Sequence, residues 1–240
     1  MTLPLALVTG ATSGIGKQIA RQLVDRGWTV LVGSRDPGRG ERTAAEIGGR
    51  ALPLDVTDPA SIAAASATVP VLDVLVNNAG VSFDTGTVLT EVEVDVFRRT
   101  YETNVFGVVA VTNAFVPALR RSDHPRVVNL SSGTGSLTWS TGPNPQFDHR
   151  AAGTGRGAAY RSSKTALDAL TVFYAQALAG DGIKVNALAP GLRATRLNPQ
   201  AAAAGGDPAE AAAGAVRLAT LPDDGPSGVL FSWDGTVVPW

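Results

Sequence analysis

A strand-like run, a glycine turn, a helical stretch and a second strand-like run follow one another within the first 33 residues. Leu3 to Thr9 is apolar and leads into Gly10, Gly14 to Arg26 places Ile15, Ile19 and Leu23 on one helical face, and Trp28 to Val32 is apolar again. Two strands joined through a helix cross over right-handedly and lie side by side in parallel. The alternation continues with a helix at 40–47, a strand at 51–54, a helix at 59–66 and a strand at 71–76. A long helical region over 93–120 follows, interrupted by Gly107 and closed near Pro117, and then a strand at 126–130. The helix that carries Tyr160 and Lys164, a strand at 183–188, a helix at 208–218 and a strand at 228–231 complete it. With no internal repeat and no linker, the pattern predicts one α/β domain over residues 1–240, a doubly wound parallel sheet with helices on both faces.

Composition narrows what such a domain can do. The net charge is −1, with acidic and basic residues interspersed. That leaves no electrostatic footprint for nucleic acid or an anionic membrane surface. There is no cysteine, and the two histidines, His124 and His149, cannot make a zinc site by themselves, so no metal is expected. The apolar start is too short for a signal peptide, and no stretch approaches the ~20 apolar residues of a membrane span. A cytoplasmic protein is expected.

The glycine turn is the first candidate site. In TGATSGIG, residues Gly10, Thr12, Ser13, Gly14, Ile15 and Gly16 join the first strand to the first helix. Glycine there lets the backbone come close to a ligand, and the exposed N–H groups at the positive helix end attract a pyrophosphate. The spacing is wider than the common G-x-G-x-x-G fingerprint. At the end of the second strand, 19 positions after Gly16, stand Ser34 and Arg35 where an acidic residue would hold a ribose 2′-hydroxyl. A guanidinium grips a 2′-phosphate by charge-assisted contacts, so NADPH/NADP+ is favoured over NAD. The alternative leaves Arg35 in solvent and gives the ribose to Asp36. Asp55 and Val56 could bracket an adenine, and Asn77, Asn78, Ala79 and Gly80 end the fourth strand at the same carboxyl edge. Either segment also fits ordinary strand-end turns.

Tyr160 and Lys164 are four apart and lie one above the other on a helix. A fixed ammonium beside a phenol favours the phenolate and brings its pKa, ordinarily ~10, toward the working range. The spacing alone fits equally a half-buried tyrosine beside a solvated lysine.

Taken together, the motifs resemble the short-chain dehydrogenase/reductase family over nearly the whole chain. In family order come the TGATSGIG turn, Asp55-Val56, the NNAG at 77–80, Asn104, Ser131-Ser132, YRSSK at 160–164, Asn186, and Pro190-Gly191 followed by Thr195. The resemblance implies a Rossmann-type fold and a reaction between a carbonyl and an alcohol. It implies that Tyr160 is the proton donor or base, that Lys164 holds the nicotinamide ribose and lowers the Tyr160 pKa, and that Ser132 binds the substrate oxygen. Asn104 would hold a water behind Lys164, and Thr195 would hold the nicotinamide carboxamide. The expected activity is NADPH-dependent reduction of a ketone or aldehyde. The alternatives are an NADP+-dependent alcohol dehydrogenase working oxidatively and a non-catalytic nucleotide-sensing or scaffold protein.

Two departures from the family pattern bear on the substrate. Tyr160 lies 28 positions after Ser132, about twice the separation usual in the family, so 133–157 reads as a long loop or irregular insertion at the site mouth. It carries Trp139, Pro143, Pro145, Phe147, Asp148 and His149. It forms either a substrate-facing wall or a surface flap pinned by Trp139 and Phe147, with His149 on the surface. The segment after Gly191 is short and alanine-rich, with little bulk for a lid. The C-terminal GPSGVLFSWDGTVVPW resembles the carbonyl-reductase branch, which favours a monomer over a dimer or tetramer.

Overall fold

In the computed structural model, which describes residues 3–84, 86–144, 154–195, 197 and 205–240, seven strands form one sheet in the order β3-β2-β1-β4-β5-β6-β7. Every pair is parallel. The strands are β1 (Leu5–Thr9), β2 (Thr29–Ser34), β3 (Arg50–Pro53), β4 (Val74–Asn77), β5 (Arg126–Leu130), β6 (Lys184–Ala189) and β7 (Leu230–Ser232). Between them run α1 (Gly14–Val24), α2 (Pro37–Ile47), α3 (Pro59–Ala67), α4 (Val94–Tyr101), α5 (Gly107–Leu119), α6 (Leu137–Thr141), α7 (Ala158–Ala177) and α8 (Pro208–Ala219). The sheet runs outward in both directions from the β1–β4 pair, so a crevice opens at their carboxyl ends.

Side chains of successive strand residues point to opposite faces, and this chain fills both. Ala6, Val8, Val74 and Val76 pack with Ile19 and Leu23 of α1 and with Ala212 and Ala215 of α8. Leu7, Leu75 and Val127 pack on the other face with Ile62 of α3 and Phe115 of α5. The alanines of the segment after Gly191 therefore have a packing role: Ala211, Ala212 and Ala215 are fully buried and let α8 lie close to the sheet. Phe115 is also fully buried, and truncating such a residue to alanine costs about 3–5 kcal/mol.

The helical region at 93–120 is interrupted earlier than Gly107 suggests. Residues Glu102–Phe106 form a π-helical turn between α4 and α5, and Pro117 sits inside α5 without ending it. Val94–Leu119 is long and apolar enough to cross a bilayer by length and composition alone, contrary to the sequence expectation, yet Val111, Phe115 and Leu119 are fully buried against the sheet. It is a core helix.

The stretch after Ser132 is also more ordered than its composition suggests. Ser136 caps α6 by accepting from the Trp139 amide at 3.1 Å, and Trp139 is buried against Ala187, Ala189, Leu230 and Val238. Thus Trp139 pins this segment to β6, β7 and the C-terminal tail. Pro145, Phe147, Asp148 and His149 lie outside the described residues.

Candidate active site

The crevice is held open by side chains at the ends of β1 and β4. Thr9 Oγ1 donates to the Val76 carbonyl at 3.3 Å and accepts from the amides of Asn78 and Ala79, both at 3.0 Å. Asn78 Nδ2 donates back to the Thr9 carbonyl at 2.8 Å and the Gly10 carbonyl at 3.2 Å. A Cβ at Gly16 would stand 2.3 Å from Asn78 Nδ2. Gly16 therefore makes room for Asn78, a protein contact that the sequence reading assigned to ligand approach. Gly10 and Gly14 have φ of 63° and 55°, the left-handed region that glycine tolerates.

The resulting cleft, about 480 Å³, gathers most of the predicted cofactor residues: Gly10, Thr12, Ser13, Gly14, Ile15 and Gly16 on one side, Ser34, Arg35, Asp55 and Val56 at one end, Asn78, Ala79 and Gly80 beneath, and Tyr160, Lys164, Pro190 and Thr195 at the other end. Ser13 begins α1 but gives its first turn no side-chain cap, which leaves amides there for an anion. Gly191 is not on the cleft surface; its φ of 69° turns the chain against Trp233. Thr195 lies over Gly14, 3.3 Å from where a Cβ would stand. The larger hollow of about 880 Å³ lies at the opposite edge of the sheet, among Leu5, Leu31, Arg121 and His124, away from these groups.

At the β2 end, Arg35 is exposed on the rim, and Arg39, which the sequence reading missed, also lines the cleft. Asp36 accepts from the Arg39 amide at 3.0 Å and caps α2. Ser34 is buried and its hydroxyl donates to the Asp36 carbonyl at 2.8 Å. Asp55 Oδ1 accepts from the amide and hydroxyl of Thr57 at 2.9 and 2.8 Å, the strand-end turn that its sequence context allowed. Asn77 is internal, donating to Thr112 Oγ1 and Asn129 Oδ1, and Asn186 binds the backbone of Pro226 and Val229.

At the other end, α7 presents Tyr160 and Lys164 to the cleft as their spacing predicts. Lys164 is 4% exposed; its Nζ donates to the Leu130 carbonyl at 2.7 Å and lies 5.7 Å from the centre of the Tyr160 ring. Burial lowers the Lys164 pKa to about 8, while the Asp168 carboxylate works to raise it. The expected acidification of Tyr160 is not what this arrangement produces. Burial pushes the phenol up to about 12, the hydrogen bond with Ser132 works downward, and the charge of Asp168 adds to the rise. Desolvation of the ring end exceeds any help from an ammonium whose short bond goes to Leu130.

Ser132 follows β5, accepts from the Thr134 amide at 3.2 Å and shares a hydrogen bond with the Thr134 hydroxyl at 2.9 Å, which fixes it beside the phenol. Asn104 sits in the π-helical turn, wholly buried. Its Oδ1 accepts from the Val81 amide at 2.9 Å, and its Nδ2 donates to the Val81 carbonyl at 2.9 Å and to Ser163 Oγ at 3.0 Å. Its side chain thus ties the loop after Gly80 to α7, and the water-holding role implied for it has protein groups on both ends of the amide.

Sequence reasoning also missed Asp168 and Asp84, and it named Ser131 only as the partner of Ser132. Asp168 carried a legible signal, since it lies four positions after Lys164 on the same helix face. Phe83, Thr103 and Leu197 also line the cleft, and no periodicity marks them.

A family model described as short chain dehydrogenase matches residues 4–144 and 150–204. The chain belongs to the short-chain dehydrogenase family. As such it is an oxidoreductase with a site for a nicotinamide cofactor. Among curated short-chain dehydrogenases it is 32% identical to (+)-neomenthol dehydrogenase of Arabidopsis thaliana, with 95% of each chain covered. It is similar in structure to an NADPH-bound carbonyl reductase from chicken fatty liver, with a TM-score of 0.82, 27% identity and 100% of each chain covered. It is also similar to a 3-ketoacyl-(acyl-carrier-protein) reductase from Brucella melitensis complexed with NADH, with a TM-score of 0.81, 26% identity, 95% of this chain and 96% of that one.

Proposed function

We propose that the protein is an NADPH-dependent reductase of a ketone or aldehyde, with Tyr160 as the proton donor. The observation that carries this reading is that Tyr160 and Lys164 line one end of the cleft together, with the Ser132 hydroxyl near enough to the phenol to work its pKa downward. A nicotinamide cofactor bound in the cleft supplies the hydride. As a carbonyl is reduced, negative charge grows on its oxygen, and the two hydroxyls are placed to share hydrogen bonds with it. Tyr160 then passes its proton to that oxygen. A phenol pushed up to about 12 keeps its proton at neutral pH, the form that donates to the growing alkoxide.

Lys164 presents the remaining donors of its ammonium to the cleft, where ribose hydroxyls would lie. Support for NADPH comes from Arg35 and Arg39, two guanidinium side chains that line the cleft beside Asp36, whose Oδ1 accepts from the Arg39 amide. NADPH absorbance followed with quinones, aryl ketones, aldehydes and polyketide-like carbonyls tests the reading. Tyr160→Phe should lower kcat at least a hundredfold with NADPH affinity retained; if no compound in the panel leads to NADPH consumption, the nucleotide-sensing reading is favoured instead.

A further inference from the structure

The helix that carries the proton donor begins without a cap of its own. Its N-cap residue, Gly157, has φ of 67° and no side chain to satisfy the first-turn amides. Those amides would otherwise need water, since the first four N–H groups of a helix have no partner within it. An acceptor arrives instead from 75 residues away: Asp84 Oδ2 accepts from the Ala159 amide at 2.6 Å, and Oδ1 faces the Tyr160 amide at 3.4 Å. These are the second and third helical positions, the ones a capping side chain serves. Asp84 is only 2% exposed, so its carboxylate is enclosed against the positive helix end.

The loop that bears Asp84 is itself tied down on both sides. Before it, Val81 is held through its amide and carbonyl by Asn104, and Phe83 lines the cleft that Tyr160 also lines. After it, the Thr87 amide donates to the Asp84 carbonyl at 3.2 Å, Val88 pairs with Arg156, and the Arg156 guanidinium donates to the Gly86 carbonyl. One short stretch thus contributes to the cleft lining and holds the first turn of the helix that brings Tyr160 to the same cleft.

We propose that Asp84 is a positioning residue for the reaction: by capping α7 from the loop after β4, it sets the place of the Tyr160 phenol in the cleft. The inference rests on Tyr160 being the acid. A shift of the first turn by a fraction of an ångström would move the phenol relative to the carbonyl oxygen, which costs rate more than affinity.

The test compares Asp84→Ala, Asp84→Asn and Tyr160→Phe in the full chain. It uses NADPH and the panel carbonyl that the wild-type protein reduces fastest, and it follows amide hydrogen exchange at Ala159 and Tyr160 separately. Asparagine keeps an acceptor at the cap and alanine does not. Asp84→Ala should exchange those two amides at least tenfold faster and lose at least tenfold in kcat, with KM and NADPH Kd within threefold of wild type. Asp84→Asn should recover both kcat and slow exchange to within threefold.

A folded Asp84→Ala protein with kcat within twofold of wild type overturns the proposal, even if exchange is faster. So does an Asp84→Asn protein that loses kcat and NADPH affinity together. If Asp84→Ala does not fold, Asp84→Glu takes its place: the longer side chain should lower kcat at least fivefold with NADPH Kd unchanged, and an unchanged kcat overturns the proposal. Failure of the acid assignment looks different, because Tyr160→Phe would then turn over at the wild-type rate.

Discussion

Asp168 lies one helical turn beyond Lys164, and its Oδ1 accepts from Ser131 Oγ at 2.5 Å, while Oδ2 has no hydrogen-bond partner among the described residues. Both Asp168 and Lys164 are about 4% exposed. Burial raises the carboxyl pKa to about 7, against the Ser131 hydrogen bond and the nearby ammonium, which both work downward. The folded protein then binds a proton that the unfolded chain releases between 3.8 and about 7. Fewer protons on the unfolded state means stability falls as pH rises through that window, then levels. Asp168→Asn cannot ionise and should lack this slope. Urea unfolding at pH 4 and pH 7 should show the wild type losing up to ~4 kcal/mol relative to the variant; parallel pH curves for the two proteins would contradict the burial effect.

The same pair predicts how cofactor binding depends on pH. Lys164 is lowered to about 8, so its ammonium is lost as pH rises past that point. NADPH Kd should therefore weaken above pH 8 in the wild type. The charge of Asp168 works to hold the proton on Lys164, so Asp168→Asn should move the onset of weakening to lower pH. Fluorescence titrations of NADPH from pH 6 to pH 10 read both limbs, and an onset unchanged in the variant would mean that Asp168 does not act through Lys164.

Much of the fold was legible because it rests on local patterns. Alternating apolar strand residues such as Ala6, Leu7 and Val8 serve two cores, and that alternation can be read without coordinates. Tyr160 and Lys164 share a helix, so four-residue spacing was enough to place them together. What escaped depends on contacts over long sequence separations. Asp84 reaches Ala159 from 75 positions away, and Asn78 crosses 69 positions to Thr9. The interruption by a π-helical turn at Glu102–Phe106, instead of at Gly107, has no marker in the residue types themselves. The pKa of Tyr160 was misjudged because spacing shows the neighbouring charge but not the burial that outweighs it.

Arg35 offers a test of cofactor choice independent of turnover. It stands exposed on the rim with Arg39 close behind in the cleft lining. A charge-assisted contact to a 2′-phosphate contributes about 1.5–3 kcal/mol, so Arg35→Ala should weaken NADPH roughly 10- to 100-fold. NADH lacks that phosphate, and its Kd should stay within about twofold of wild type on the same argument. Calorimetry with both cofactors checks the pair of values. Unchanged NADPH binding in Arg35→Ala would remove the arginine from the site, and an equal loss for NADH would assign it to packing.

Trp139 couples the segment after Ser132 to the end of the chain. Its ring is buried beside Leu230 and Val238, while Ser136 Oγ donates to the Pro239 carbonyl at 2.5 Å and the Thr138 amide and hydroxyl donate to the Trp240 carbonyl at 3.1 and 2.6 Å. Ser132, which hydrogen-bonds Tyr160, stands just ahead of this anchored segment. Trp139→Ala should cost about 3 kcal/mol in stability, as large buried aromatics do. It should also lower kcat, because the anchor behind Ser132 loosens, and leave NADPH Kd unchanged, because the glycine turn lies across the cleft. Val238→Ala removes the facing contact, and residues in contact couple by about 0.5–3 kcal/mol. A double-mutant cycle of unfolding free energies that is additive within error would show that the tail does not hold the Ser132 segment through Trp139. A stable Trp139→Ala protein with unchanged kcat would show that the serine keeps its place without the anchor.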